Sequence, residues 1–584
     1  MKNKRALAIV GLGPRGLSAL ENFLLQLRKE GELGHLKLLL FEMTGDFGNG
    51  QVYGIHQSVT NWINISERIL CLDKRPTIDF KAYQIPSFPS YHEWVKKDFS
   101  KIDKSEADTY PPRAEVGEYL KERFETLIQP LLKASVASLI EEQVESVSLD
   151  DDKVSIKTSK REYTGIDELL LTIGHQPTEL SEQMLKWEQF SSDKKSTTLF
   201  KSPYPIKNFL ESPHLTPDSV VGLRGFGLAM IDVARGIANK FGTFVTENET
   251  DKKVRYQSDH TISNMLIPFS LDGLPPSPKP INALIDEWYQ PTEKQITNFE
   301  NIIQDKQIQR KADDPGFLIK AFAPIAAEIY LTLSEYYDVS GLSVQKVEAV
   351  VIAWMEDMKY SHPIILRQDQ PAEKMMQDFI EMALGKKAIS LDFCVGQVWR
   401  HLQPSIYDKL SYNECENIVC KKIIQLDEGL KRYSYGPPVE SIQQMLALIK
   451  AGVMNVQFVN DPAINLTDDG WLLESDKKNV VVDMMINSVL DSPKIKLVDS
   501  PIVKSLLSAD LAKAVHSELG VVTDERGYLI SSDENNSVPI ALLGRLAKGT
   551  VIGVDAILEC FGKRSEQWAE RSAKHFINCI ENEE

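Results

Sequence analysis

Gly11, Gly13 and Gly16 follow directly on the apolar run Ala6-Leu7-Ala8-Ile9-Val10 and precede Leu17, Leu20, Phe23, Leu24 and Leu27 at helical spacing. A buried strand, a glycine turn and a helix, in that order, aim backbone N–H groups and the positive end of a helix at an anion. The glycines divide the work into a tight turn, close approach of the backbone to a pyrophosphate, and close helix–strand contact. Pro14 and Arg15 lie within the turn. A second apolar run, Leu36 to Phe41, ends in Glu42, a carboxylate placed to accept hydrogen bonds from a ribose. Together these residues read as a dinucleotide site.

The pattern recurs in weaker form. Val220-Val221-Gly222-Leu223-Arg224 leads into Gly225-Phe226-Gly227 and an apolar helix through Ala238, with Met230 at the third small-residue position. This unit suits a nicotinamide nucleotide. The next strand candidate, Met265 to Phe269, ends at Ser270-Leu271-Asp272-Gly273. An acid there favours the free 2′-hydroxyl of NADH, whereas NADPH is usually met by an arginine. Lys252, Lys253 and Arg255 are alternative partners for a 2′-phosphate, so both nucleotides stay open.

Two further segments point to FAD in the first unit. Val144 and Val147 lie in an alternating strand, and the apolar run from Leu169 ends at Gly174. Far along the chain, Ile540-Ala541-Leu542-Leu543 runs into Gly544-Arg545, followed by Gly549, Gly553 and Asp555. A strand ending in glycine and then a helix carrying Asp is how FAD folds reach the ribityl chain and pyrophosphate. The expected architecture is α/β, with two dinucleotide-binding, Rossmann-like domains and a mostly helical insertion. The FAD domain is discontinuous, taking 1–210 and again 456–584. A nicotinamide-type domain spans 215–290, and the helical substrate region 291–455. In the latter, Leu391 to Leu402 brings Cys394, Trp399, Arg400 and His401 together, read chiefly as a helix end with a solvated arginine and a packed tryptophan.

Composition excludes other classes. A net charge of −17 without a long basic run argues against nucleic acid as a partner. Phe317 to Leu333 contains Lys320, Pro324 and Glu328 and reads as a buried helix pair, not a membrane span. Lys2, Lys4 and Arg5 precede too short an apolar run for a signal peptide, so the cytoplasm is expected. None of the six cysteines forms a Cys-x-x-Cys pair, and the ten histidines show no metal-ligand spacing. No nucleophile elbow or Walker loop occurs. The proton-handling side chains are unknown, and a homo-oligomer is compatible with all of this.

Gly11-Leu12-Gly13-Pro14-Arg15-Gly16-Leu17-Ser18-Ala19-Leu20-Glu21, Tyr110-Pro111-Pro112-Arg113 with Gly117 and Tyr119-Leu120, and Thr172-Ile173-Gly174-His175-Gln176-Pro177 form a specific set. Gly225-Phe226-Gly227-Leu228 with Asp232, and Gly436-Pro437-Pro438 before Ala451-Gly452, complete it. Over nearly its full length the chain resembles the bacterial FAD-NAD(P)-binding protein family, similar in turn to flavin-dependent amine N-hydroxylases and to aspartate N-oxygenases that make nitrosuccinate. The resemblance implies FAD at Gly11, Gly13, Pro14, Arg15, Gly16 and Glu42, with Val144 against the adenine and Gly174, Gly544 and Asp555 nearby. It implies that Tyr53-Gly54 and the Asn61 region approach the flavin ring, and that Gly225 and Gly227 hold NADPH or NADH. Family members often carry Ser-Arg where this chain has Ser270-Leu271. The expected reaction is oxygenation of an amine nitrogen of an amino acid or small amine with O₂, with Arg113, Arg400 and His401 as candidate substrate contacts. The alternatives are a flavin reductase or dehydrogenase without oxygenation, and a non-catalytic nucleotide-sensing protein.

Overall fold

The computed structural model describes residues 4–27, 33–80, 83–194, 196–333, 341–476, 478–490, 493–532, 537–553 and 556–581. The chain opens as β1 (Arg5–Val10), α1 (Pro14–Leu27) and β2 (Leu36–Phe41), with β1 and β2 parallel from Arg5 opposite Leu36 to Val10 opposite Phe41. Pro14 opens α1, where its missing N–H costs nothing and its fixed φ suits the first turn. α2 (Arg113–Lys133) then leads to β3 (Ala137–Ile140), and β4 (Glu168–Leu171) returns beside β1.

A second parallel sheet is built from β5 (Thr198–Phe200), β6 (Val221–Arg224) and β7 (Leu266–Phe269), with α3 (Leu228–Phe241) following β6. Next come the helices α4 (Gly316–Thr332), α5 (Val344–Glu356), α6 (Leu391–Lys409), α7 (Asn417–Ser434) and α8 (Val439–Lys450). After them, β8 (Met484–Asn487) inserts between β5 and β6, giving the order β5-β8-β6-β7. Only then do β9 (Tyr528–Ile530) and β10 (Ser537–Leu542) join the first sheet, whose order is β9-β10-β4-β1-β2-β3.

The expected return to the first domain at 456 is therefore too early. Met484, Met485 and Ile486 are buried between the neighbouring strands, and a run so apolar on both faces belongs inside a parallel sheet. The segment 463–487 goes with the second sheet. The expected helix pair at 317–333 is also one helix, continuous through Pro324. The hydrogen bond lost at a proline is offset because Leu318, Phe322, Ala326 and Ile329 are all buried on that helix, which packs on α5 and α6.

The core explains the layout. Leu7, Ile9, Leu17, Leu20 and Phe23 pack with the final helix, α9 (Lys563–Glu581), where Phe23 meets Trp568 at 6.0 Å between ring centroids. Trp568 donates to the Glu168 carboxylate at 3.1 Å, which pins α9 to β4. In the second half, Phe226, Met230 and Ile237 of the glycine unit share one apolar cluster with Phe322, Trp354 and Trp399. The helical insertion and the second sheet are thus one packed body. Among the described residues no helix is long and apolar enough to cross a membrane, and no group of His, Cys, Asp or Glu could hold a metal ion.

Candidate functional site

At the first turn two glycines are demanded by the fold. Gly11 sits at φ 91°, where side chains rarely go, and a Cβ on it would lie 2.6 Å from the Thr172 carbonyl oxygen. A Cβ on Gly16 would collide with the Gly11 carbonyl. Gly13 differs: a Cβ there meets only the Cα of Gly50, at 3.8 Å. Gly50 (φ 64°) closes over the turn from the loop after β2, held by the Gly48 N–H donating to the Leu12 carbonyl at 2.5 Å. The otherwise open side of Gly13 leaves a cradle that a side chain would fill, at the N-terminus of α1, which is the place for a pyrophosphate.

Glu42 ends β2 beside this turn. Its carboxylate accepts from Leu12 N–H at 3.3 Å, Thr44 N–H at 3.1 Å and the Thr44 hydroxyl at 2.8 Å, so its position is fixed. Arg15 turns away: buried, it donates to the Glu559 carbonyl at 2.9 Å and lies under Gly544. It fastens the turn to the C-terminal return. Gly174 (φ 64°) and Gly544 (φ 110°) both take left-handed turns at the ends of the neighbouring strands β4 and β10. Val144 is buried at the start of the strand Val144–Asp150 on the other face. Asp555 lies outside the described residues.

The loop after Gly50 runs through the short 3₁₀ turn Gln51–Tyr53 to Asn61. A Cβ on Gly117 of α2 would strike the Tyr53 carbonyl, so that glycine lets the loop sit on the helix. Asn61 is 1% exposed, its carbonyl accepts from Arg113 N–H at 2.8 Å, and its Oδ1 is buried without a partner. Such an atom costs about 1–3 kcal/mol unless something else satisfies it.

Arg113 does not face open space. Its guanidinium reaches Asp232 of α3 at 3.2 Å and stacks over the Tyr204 ring at 5.2 Å. Burial would lower its pKa, but Tyr204 and Asp232 raise it. Arg235, one turn on, donates to the Thr60 carbonyl at 2.9 Å and lies 4.0 Å over Trp62. The helix of the second glycine unit is thereby wired to the loop carrying Asn61.

The second turn repeats the first with fewer demands. Gly225 N–H donates to the Phe269 carbonyl at 2.7 Å, as Gly11 N–H does to Phe41 at 2.9 Å. Gly225 is at φ 117°, with the Ser488 carbonyl 3.2 Å from its Cβ position. Gly227 has an extended backbone, and its Cβ would meet nothing within 4 Å. Ser488 Oγ is buried there without a partner. At the end of β7, Leu271 is 87% exposed and Asp272 is met by Arg432 from α7 at 2.5 Å. Lys252 and Lys253 pair instead with Glu249 and Glu247 in their own hairpin.

Sequence reasoning missed a charged cluster behind the Asn61 loop. Arg68 binds both oxygens of Asp108, at 3.0 and 2.9 Å. Arg400 and His401 close on Asp286, so Arg400 is ion-paired, not solvated as expected, because Asp286 is carried to it by the turn after Asn282. Burial alone would raise the Asp286 pKa, yet Arg400 and His401 hold it well below the carboxylate range. Lys279 joins them, its ammonium donating to the Asn64 carbonyl. The only local signal was a lysine flanked by Pro278 and Pro280.

Residues 8–176 match the model of the FAD-NAD(P)-binding family. An L-aspartate N-monooxygenase (nitrosuccinate-forming) of Streptomyces cremeus is 25% identical over 38% of this chain and 36% of its own length. The chain thus matches about a third of that relative. A nitrosuccinic acid synthase of Aspergillus oryzae is 24% identical over 86% of this chain and 80% of its own. An L-lysine 6-monooxygenase structure from Pseudomonas syringae covers 99% of both chains at 13% identity and a TM-score of 0.40. Gly11 and Gly16, which the turn requires, and Gly13, left open at its centre, all fall within the stretch 8–176 that matches the model of the FAD-NAD(P)-binding family.

Proposed function

We propose that the protein is an FAD-dependent monooxygenase that takes electrons from NADPH or NADH and oxygenates an amine nitrogen of an amino acid or small amine. The observation that carries this reading is the pair of glycines, Gly13 and Gly227, that neither backbone nor packing requires. Two glycines left open at two helix N-termini, one per sheet, suit two dinucleotides. The relatives that make nitrosuccinate supply the choice of reaction.

In this reading Gly13, Gly16 and the α1 N-terminus hold the FAD pyrophosphate, Glu42 its ribose, Val144 its adenine, and Tyr53 and Asn61 approach the ring. Gly174, Gly544 and Asp555 border the rest of the cofactor. Bound FAD, once reduced, supplies the electrons that activate O₂. The chain's own part is to orient and enclose. The buried Asn61 carboxamide offers its unpartnered oxygen to a donor on the flavin side, and Arg113 holds the Asn61 carbonyl fixed. Gly225 and Gly227 receive the nicotinamide nucleotide, with Leu271 and the Asp272–Arg432 pair at its adenosine end.

The test is spectroscopic. Purified protein carrying FAD is mixed anaerobically with NADPH or NADH, then with air and candidate amines. Bleaching, an absorbance band belonging to neither oxidised nor reduced flavin, and a hydroxylated amine are the expected results. Reoxidation yielding peroxide alone with every amine points to the reductase reading, and a protein that takes up no FAD overturns the proposal.

A further inference from the structure

Three stretches far apart in sequence converge behind the Asn61 loop: 64–68 with 108–110, the strap Pro275 to Pro280, and Arg400-His401 of α6. Two carboxylates there, Asp108 and Asp286, face three cations, Arg68, Arg400 and Lys279. Both acids are taken by the arginines. Among the described residues no carboxylate comes within ion-pair distance of Lys279. An ammonium has three donors to satisfy, and this one has the Asn64 carbonyl.

The lysine is held in place, not trailing. Prolines on both sides restrict its backbone, its N–H donates to the Pro437 carbonyl at 3.1 Å, and the missing side chain of Gly436 lets the strap press against that turn. Water reaches the cluster: the side chains of Arg68, Arg400 and His401 are 30%, 15% and 18% exposed. One polar atom at its border, the Tyr289 hydroxyl near Asp286 and Arg400, is buried without a partner. A water-reached cluster with one cation in excess of its carboxylates and an unsatisfied hydroxyl suits an anion.

Resting on the monooxygenase reading for where the substrate lies, we propose that Lys279, backed by Arg400 and Arg68, receives a carboxylate of the substrate and selects acidic amines over plain ones. Its present state agrees. Burial and Arg400 push the ammonium down to about 7 against the pull of Asp286 and Asp108. An arriving carboxylate would restore the charge, so above neutrality each anion bound must bring a proton.

The experiment titrates the FAD-loaded, oxidised protein with succinate, L-aspartate and n-butylamine, reading the flavin spectrum and binding heat. Succinate and L-aspartate should bind saturably and n-butylamine far more weakly. Lys279→Met should weaken succinate by about 30-fold or more, as expected for removing one partner of a buried charge pair, while the exposed control Lys386→Met changes nothing. Unchanged succinate binding in Lys279→Met, or no saturable dicarboxylate binding at all, overturns the assignment. If Lys279→Met loses its FAD, the unmodified protein decides. Between pH 7.5 and 9, above the value near which Lys279 loses its charge, succinate affinity should fall by up to about tenfold per unit. A flat profile overturns it. Failure of the monooxygenase reading looks different: acidic ligands bind, yet no amine is oxygenated.

Discussion

The two glycine turns share one hydrogen-bond plan but differ in what their glycines are for. At the first, Gly11 and Gly16 are locked in by Thr172 and by each other, and only Gly13 is spare. At the second, Gly225 is confined less tightly, Gly227 is spare, and the third glycine is replaced by Met230, buried in a core shared with the helical insertion. The first turn is pressed against its sheet, as a site holding a resident cofactor can be. At the second, a buried methionine stands where the first has its packing glycine. What survives in both is the one glycine with no structural duty. In the proposed reading, the motif has lost its packing glycine but kept the approach glycine that a nucleotide needs.

Four substitutions would break or sharpen this contrast. Gly11→Ala should cost roughly 3 kcal/mol or more, from strain at positive φ plus a clash with backbone that cannot yield, and should show as a large fall in melting temperature with or without FAD. Gly13→Val should leave melting of the cofactor-free protein nearly unchanged but abolish FAD retention, read from the flavin absorbance of purified protein. If Gly13→Val keeps its yellow colour, the open cradle is not the pyrophosphate site. Gly227→Val should keep FAD and slow flavin reduction by NADPH and NADH about 100-fold at subsaturating nucleotide, seen by anaerobic stopped flow, a loss of about 2.7 kcal/mol of binding. Last, Arg432→Ala should lower the NADPH-over-NADH ratio of kcat/KM by about tenfold, since Arg432 stands at the end of β7 where a 2′-phosphate would lie. A ratio that does not move leaves Asp272 as the feature that sets nucleotide choice.

How much of this was legible depended on sequence distance. Gly11 to Glu42 could be read directly because strand, turn, helix, strand and acid are consecutive and each obeys local rules. Gly227 was legible for the same reason despite Met230. The β8 strand, Met484–Asn487, was not: its apolar run looks the same in either sheet, and its place is decided by Val221 and Thr198, hundreds of residues earlier. Arg400 was read as solvated because nothing near it in sequence announces Asp286. Lys279 carried only its flanking prolines, and its meaning comes from Asn64, Arg400 and Pro437, which no periodicity connects. Arg432 had the same difficulty, since the loop it completes belongs to β7.

The strand order carries a consequence for biosynthesis. β8 is an interior strand of the second sheet, and β10 lies between β9 and β4 in the first. While the ribosome is still making the helical region, β6 and β4 each present an open, apolar edge with its partner not yet synthesised. Neither half can close early, so folding waits for contacts of very long range, which are slow and leave strand edges open to wrong pairing. A fragment ending near residue 290 would expose those edges permanently and should be found in aggregates or bound to chaperones, though it contains both glycine turns.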